Sequence, residues 1–183
     1  MNVVLYDRLA ALLRYPDAAY LSDLDACCCA LAAADPQAAQ HLARFGAALR
    51  TRTLTDLEEL FTHTFDINPA CALEVGWQLF GEEYERGTFL VRMRQEMRRL
   101  GLSETAELPD HLTHVLAVLG RMEPERADDF ATACVLPAVD RMYASIAGDE
   151  VPYEHVLGAI RVFLTQRHTG ARHSADSGAQ AME

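Results

Sequence analysis

Apolar residues recur every three or four positions along most of this chain, the spacing that places them on one face of an α-helix. In residues 3–14 the stripe consists of Leu5, Leu9, Leu12 and Leu13. Comparable stripes run through residues 18–34, 36–50, 57–65, 70–80, 82–100, 112–119, 125–147 and 152–167. No segment alternates apolar and polar residues as a half-buried strand does. The pattern predicts an all-α fold, a single-domain bundle of about seven to nine helices.

Local signals refine this prediction at three places. Thr55 and Glu58 have the spacing of a capping box, which predicts a helix start at Thr55. Residues 70–80 are almost wholly apolar and include Trp77, so we expect this helix at the centre of the core. Pro137 lies inside the long stripe of residues 125–147 and predicts a kink there.

The length and the distribution of small polar residues indicate one domain followed by a tail. A chain of 183 residues lies within the usual size range of a single domain. Its last residues are mostly small or polar and offer almost nothing to bury. We therefore predict an all-helical domain at residues 1–167 and a disordered tail at residues 168–183.

The net charge limits the classes of partner. The chain carries 27 acidic and 16 basic residues, a net charge of −11. Nucleic-acid binding draws its affinity from cationic contacts to phosphates, so the sequence argues against a nucleic-acid partner and suits a basic protein partner. The longest apolar runs fall short of the about 20 residues that a membrane span needs. The first residues lack the basic region and cleavage site of a secretory signal, so we expect neither secretion nor membrane insertion.

The five cysteines carry neither a disulfide framework nor a metal signature. Three are adjacent, Cys27 to Cys29, and neighbouring residues of a helix point about 100° apart, so these thiols cannot converge on one metal. The others, Cys71 and Cys134, are isolated, and no CxxC pair occurs. We expect buried, free cysteines and a reducing, cytoplasmic location.

Two groups of polar residues are candidates for chemistry. His111 and His114 lie one helical turn apart beside Asp110, and this set could hold a metal if a third ligand converged on it. Asp110 also suits a helix start, where an anion is stabilised by the helix dipole, with His111 exposed in the first turn. Glu82, Glu83 and Glu85 are explained in the same way and do not indicate acid–base catalysis.

Three motifs occur in a distinctive order on this helical frame. Residues 64–69 read TFDINP, residues 85–87 read ERG, and residues 107–112 read ELPDHL. This order resembles the NarJ-type chaperones, the delta subunits that help assemble nitrate reductase, within the wider TorD-like group. Tyr15-Pro16 after the first helix also fits, and the similarity extends over residues 5–163. Thr113 departs from the proline that commonly follows LPDHL in the family.

The resemblance implies a non-enzymatic cytoplasmic chaperone with a TorD/NarJ-like helical fold. Such a chaperone binds the basic N-terminal segment of a molybdoenzyme catalytic subunit and holds it for insertion of molybdopterin guanine dinucleotide. The client receives this cofactor, and we expect the chaperone to bind none stably. The client is nitrate reductase or a related molybdoenzyme, and the chaperone is expected as a monomer or a weak dimer.

All three motifs lie at helix boundaries, where polar motif residues interrupt the apolar periodicity. We therefore hypothesise one client-binding region containing or supported by Phe65, Asp66, Arg86, Asp110 and His111. Two rival classes remain open at this point. One is a small all-α metal-binding or catalytic protein that uses Asp110, His111 and His114. The other is a helical regulator or scaffold, for which the sequence lacks a recognition helix with base-reading side chains.

Overall fold

The computed structural model describes residues 3–169, which form ten α-helical segments and two single π-helical turns. The segments are α1 (Val3–Ala11), α2 (Tyr20–Ala34), α3 (Pro36–Leu49), α4 (Leu54–Phe61), α5 (Val75–Phe80), α6 (Tyr84–Arg99), α7 (Leu112–Leu119), α8 (Pro124–Phe130), α9 (Leu136–Ala144) and α10 (Glu154–His168). The first π-turn, Thr62–Asp66, extends α4, and the second, Ala131–Val135, joins α8 to α9 without a break. Within the described residues there are thus nine separate helices, and the all-α prediction is confirmed.

The helices pack against one another in pairs around one core. The helix α10 packs against α3 and α9, while α1 packs against α7 and α2 against α3. The most completely buried helix is α7, in which seven of the eight residues are buried. Our expectation that residues 70–80 form the central helix was wrong, because α5 begins only at Val75 and Trp77 is half-buried.

The two ends of the described chain are tied together by buried polar groups. The hydroxyl of Tyr6 in α1 is 2.8 Å from Nε2 of His168 at the end of α10. The other ring nitrogen, Nδ1, is 2.7 Å from an Asp128 carboxylate oxygen. His168 is buried within α10, so the helical domain extends one residue beyond the predicted boundary at 167. The predicted tail otherwise falls on residues 170–183, which lie outside the described residues.

Local contacts correct two other details. The capping box at the start of α4 is formed by Thr53 and Asp56 instead of Thr55 and Glu58. Along the stripe of residues 125–147, the second π-turn, Ala131–Val135, ends two residues before Pro137. Pro137 has no amide hydrogen for the helical ladder, and a π-turn at this place accommodates that loss.

The cysteines differ in burial more than the sequence suggested. Cys27 and Cys71 are buried, Cys28 and Cys134 are half-buried, and Cys29 is exposed. All five are free thiols. No helix in the described part of the chain is both long and apolar enough to cross a membrane.

Candidate functional site

In the first π-turn, Phe65 is buried whereas the next residue, Asp66, is exposed. The backbone amide of Ile67 donates to the Thr62 carbonyl five residues earlier, at 3.1 Å, which closes the π-turn. Phe65 is buried, with its ring centroid 4.8 Å from that of Tyr153. Asp66 is exposed, and its carboxylate accepts a hydrogen bond from the Thr62 hydroxyl at 3.1 Å. Single π-turns inside α-helices occur frequently at functional sites.

The segment that follows this turn pairs with the segment before α7. The Val75 amide donates to the Asp110 carbonyl at 2.8 Å, and the Leu112 amide donates to the Leu73 carbonyl at 2.8 Å. These two bonds form an isolated antiparallel bridge between Glu74 and His111. The TFDINP and ELPDHL motifs, which are far apart along the chain, are therefore neighbours.

Asp110 is a buried anion that holds several elements together. Its carboxylate is fully buried and lies 3.4 Å from Nε of Arg86 in the first turn of α6. Gly76, in the first turn of α5, also lies against this carboxylate. Burial raises the pKa of Asp110, and the nearby Arg86 guanidinium opposes this shift. Asp110 precedes α7 as expected of a residue at a helix start, and it also pairs with Arg86 of α6 and lies against Gly76 of α5.

Arg86 is held in place on two sides. Besides its contact with Asp110, its guanidinium carbon lies 5.5 Å from the centroid of the Trp77 ring, the arrangement of a cation–π contact. The Trp77 indole nitrogen donates to the Pro69 carbonyl at 2.9 Å. This arrangement connects the ERG motif to the turn that follows TFDINP.

His111 is buried instead of exposed, which corrects the sequence-based expectation. Its Nδ1 atom accepts a hydrogen bond from the Thr113 amide and thereby caps α7. Burial, together with neighbouring His114, lowers the pKa of His111 to about 4. The imidazole is therefore neutral at pH 7.

The proposed metal ligands do not converge. Both ring nitrogens of His114 have protein partners, since Nδ1 lies 2.9 Å from the Leu108 carbonyl oxygen and Nε2 lies 3.0 Å from the Thr105 hydroxyl. Asp110 faces Arg86 and Gly76, as described above. Within residues 3–169 no three histidine, cysteine, aspartate or glutamate side chains are arranged to hold a metal ion.

Four of the five predicted residues line one cavity of ≈ 380 Å³, which we call the acidic cavity. It is lined by Phe61, Phe65, Asp66, Pro69, Ala72, Leu73, Glu74, Trp77, Arg86, Glu107 and His111. Asp110, the fifth predicted residue, does not line the cavity. It is buried and forms an ion pair with Arg86, which does line it. The structure thus brings all five residues to one region of the surface.

The charge of this cavity is strongly unbalanced. Asp66, Glu74 and Glu107 contribute three carboxylates, none of which forms an ion pair within the described residues. Arg86 is the cationic side chain in the lining, and its charge is matched by Asp110. Burial raises the pKa of Glu74, and the negative charge of Asp110 adds to this shift. Such a cavity attracts cations, particularly the side chains of lysine and arginine.

A second cavity of ≈ 520 Å³ adjoins the first, and Glu107 and His111 line both. We call it the apolar cavity because most of its accessible surface is apolar, although its lining also includes Arg14 and an ion pair between Arg121 and Asp7. The exposed ring of Tyr15 also lines it, with its centroid 5.6 Å from that of Phe61 in the acidic cavity. The two cavities together form a groove with an apolar half and an acidic half.

Sequence reasoning missed three residues of this site. Trp77 was assigned to the centre of the core, although it lines the acidic cavity. Glu74 carried no signal, because its position depends on the bridge to His111, a contact between residues distant in sequence. Glu107 belonged to a recognised motif, and its place four residues before His111 in that motif was the signal that pointed to the cavity.

The sequence model of the nitrate reductase delta subunit family matches residues 30–167. This match covers most of the chain and includes all three motifs, so the chain belongs to that family, a family of molybdoenzyme maturation chaperones. A comparison with individual curated proteins found no match.

Proposed function

We propose that this member of the nitrate reductase delta subunit family is a cytoplasmic chaperone for a molybdoenzyme catalytic subunit. It binds the basic N-terminal segment of that subunit and holds it for insertion of molybdopterin guanine dinucleotide. The observation that supports this proposal most is the acidic cavity, where the TFDINP, ERG and ELPDHL segments meet around three carboxylates without ion-pair partners.

The acidic cavity has the chemistry to bind a cationic side chain next to an apolar one. Trp77 offers aromatic surface, while Asp66 and Glu107 offer carboxylates. Arg86 does not cancel this attraction, because Asp110 and the Trp77 ring restrain it. A lysine or arginine of the client would therefore meet carboxylates that form no ion pair within the described residues.

The adjoining apolar cavity extends the site to a length that suits a helix. Amphipathic helices bind to protein grooves through apolar residues at positions i, i+3, i+4 and i+7. Leu102 and the exposed ring of Tyr15 provide apolar surface for such residues. We infer that the client segment binds as an amphipathic helix, with its apolar stripe in the apolar cavity and its basic residues over the acidic one.

This mechanism requires no catalytic group. Suppose that the chaperone binds the client more tightly before cofactor insertion than after it. This difference in affinity alone is then enough for the chaperone to hold the immature client and release the mature one. The cofactor belongs to the client in this account, and we propose that the chaperone retains none. Burial of the segment on the chaperone also keeps the immature subunit from docking at the membrane.

Titration calorimetry with a synthetic peptide of the client's first 15–30 or so residues tests the proposal. We expect binding at low salt that weakens as salt screens the carboxylates. The double variant Asp66→Asn, Glu107→Gln should bind about two- to thirtyfold more weakly, because two exposed ion pairs contribute about 0.2–1 kcal/mol each.

A matched control removes the same charge elsewhere. Asp23 and Glu125 are exposed and line neither cavity, so the double variant Asp23→Asn, Glu125→Gln should retain nearly the wild-type affinity. Equal weakening by both double variants would contradict a local role for the acidic cavity. Absence of binding at low salt, with the protein verified as folded, would contradict the chaperone mechanism.

A further inference from the structure

Tyr15 is an exposed aromatic residue at the junction of three cavities. Eight large apolar side chains in the described part of the chain are exposed, and Tyr15, at 54%, is the one among them that lines the groove. It also lines a third cavity of ≈ 210 Å³, together with Glu58, Glu59 and His63. Its ring packs against Phe61 of the acidic cavity, so Tyr15 borders or contacts the lining of all three cavities.

The backbone holds Tyr15 in place although its ring is exposed. Leu13, two residues before it, and Pro16, directly after it, are both buried. The residue before a proline is restricted to extended backbone. The neighbouring Leu12 carbonyl accepts a hydrogen bond from the Tyr20 hydroxyl at 2.8 Å, which fixes the end of α1. A tyrosine side chain also has few rotatable bonds, so little conformational entropy is lost when a partner packs against this ring.

The charges around Tyr15 indicate which residues a partner would place there. Glu107 lines the acidic cavity, Glu58 and Glu59 line the third cavity, and none of these three forms an ion pair within the described residues. These carboxylates attract basic side chains. Arg14 lines the apolar cavity, where its charge disfavours a second cation. The surroundings of the ring therefore fit an apolar residue that has basic residues both before and after it.

We propose that Tyr15 determines the affinity and the specificity of the groove by packing its ring against one large apolar residue at the centre of the client's stripe. This inference rests on the proposed function and adds the feature that the client must carry, a central apolar side chain between basic residues. Tyrosine is among the residues that contribute most to binding when they lie near the centre of an interface and become enclosed in the complex. A segment of equal charge that lacks the central apolar residue should therefore be rejected.

Titration calorimetry with the synthetic client peptide tests the role of the ring. Tyr15→Ala should weaken binding by about tenfold or more, whereas Tyr15→Phe, which keeps the ring, should stay within about twofold of the wild type. The matched control is Tyr84→Ala, since Tyr84 is 87% exposed and lines none of the three cavities. Unchanged affinity in folded Tyr15→Ala, or an equal loss in Tyr84→Ala, would overturn the proposal. Absence of binding by the wild-type protein would instead remove the proposed function, and this inference with it.

The salt dependence of binding separates the ring from the carboxylates around it. Salt does not screen apolar packing, so the loss of affinity caused by Tyr15→Ala should be the same at low and at high salt. The loss caused by the double variant Asp66→Asn, Glu107→Gln should instead decrease as the salt concentration rises. A Tyr15→Ala loss that disappears at high salt would contradict an apolar contact at the ring.

An alanine scan of the peptide against the wild-type protein identifies the residue that meets Tyr15, and it does not depend on the folding of a variant. One apolar position in the middle of the stripe should lose about tenfold or more in affinity when it is replaced by alanine. The same replacement should matter much less against the Tyr15→Ala protein, because the two residues act through one contact. A scan in which no apolar position has a large effect, or effects of the two changes that simply multiply, would overturn the proposal.

Discussion

Replacing Gly76 with alanine is expected to lower the free energy of unfolding by about 1–3 kcal/mol, the usual cost of forcing an extra methyl group into a packed site. A Cβ at this position would lie 2.6 Å from Oδ2 of Asp110 and 3.1 Å from Cδ1 of Phe89. The carboxylate must then move, which disturbs its ion pair with Arg86. Urea denaturation at neutral pH measures the change in unfolding free energy.

The same substitution should also weaken client binding, because Arg86 and Glu74 line the acidic cavity and depend on this junction. Gly46→Ala in α3 is the matched control. A Cβ at Gly46 meets its nearest neighbour, Leu24, at 3.6 Å, an ordinary contact, so this variant should be neutral or slightly more stable. A Gly76→Ala protein as stable as wild type would show that Asp110 is not fixed as described.

Lowering the pH from 7 to 4 is expected to destabilise the wild-type protein relative to a His111→Asn variant by up to about 3 kcal/mol. Burial lowers the pKa of His111 from 6.5 to about 4. Between these pH values the imidazole binds a proton in the unfolded chain but not in the folded chain. Stability from a neutral buried histidine is present above pH 6.5 and is lost as the pH falls through this interval. Asparagine suits the comparison because it is a favoured N-cap residue and does not titrate.

The informative quantity is the difference in unfolding free energy between the wild-type protein and the His111→Asn variant. Burial raises the pKa of Asp110 and Glu74, so their contribution to stability increases as the pH falls and opposes that of His111. These groups are present in both proteins and largely cancel in the difference. Denaturation curves at several pH values between 7 and 4 measure it, and parallel pH profiles for the two proteins would contradict a buried, neutral His111.

Helix existence could be predicted from this sequence because it depends on local periodicity. The apolar stripes along α1, α6 and α10 determine which face of each helix is buried. Asp35 and Pro36 at the start of α3 are also local signals, and the Asp35 carboxylate accepts from the Ala38 amide at 3.0 Å as such a cap requires. The helix start of α4 was displaced by two residues, since two threonine–acid pairs compete there and only the geometry selects Thr53 and Asp56.

The interior of the site could not be predicted in the same way, because it depends on contacts between distant residues. Asp110 pairs with Arg86, 24 positions earlier in the chain, and no local pattern reveals that partner. The burial of His111 follows from its bridge with Glu74. Motif residues such as Phe65 and Arg86 could be identified by resemblance. Their degree of burial, which alters their chemistry, could be seen only in the packed structure.

Site-specific photocross-linking tests the central claim most directly. Ile67 follows Asp66 at the rim of the acidic cavity and is 62% exposed, so a photoreactive p-benzoylphenylalanine at this position would face a bound client. The account predicts cross-linking to the N-terminal segment of the cofactor-free catalytic subunit, and its loss when that segment is deleted. The same replacement at Val4 should give no such product. Cross-linking at Val4 but not at Ile67, or a product at Ile67 that persists without the segment, would contradict it.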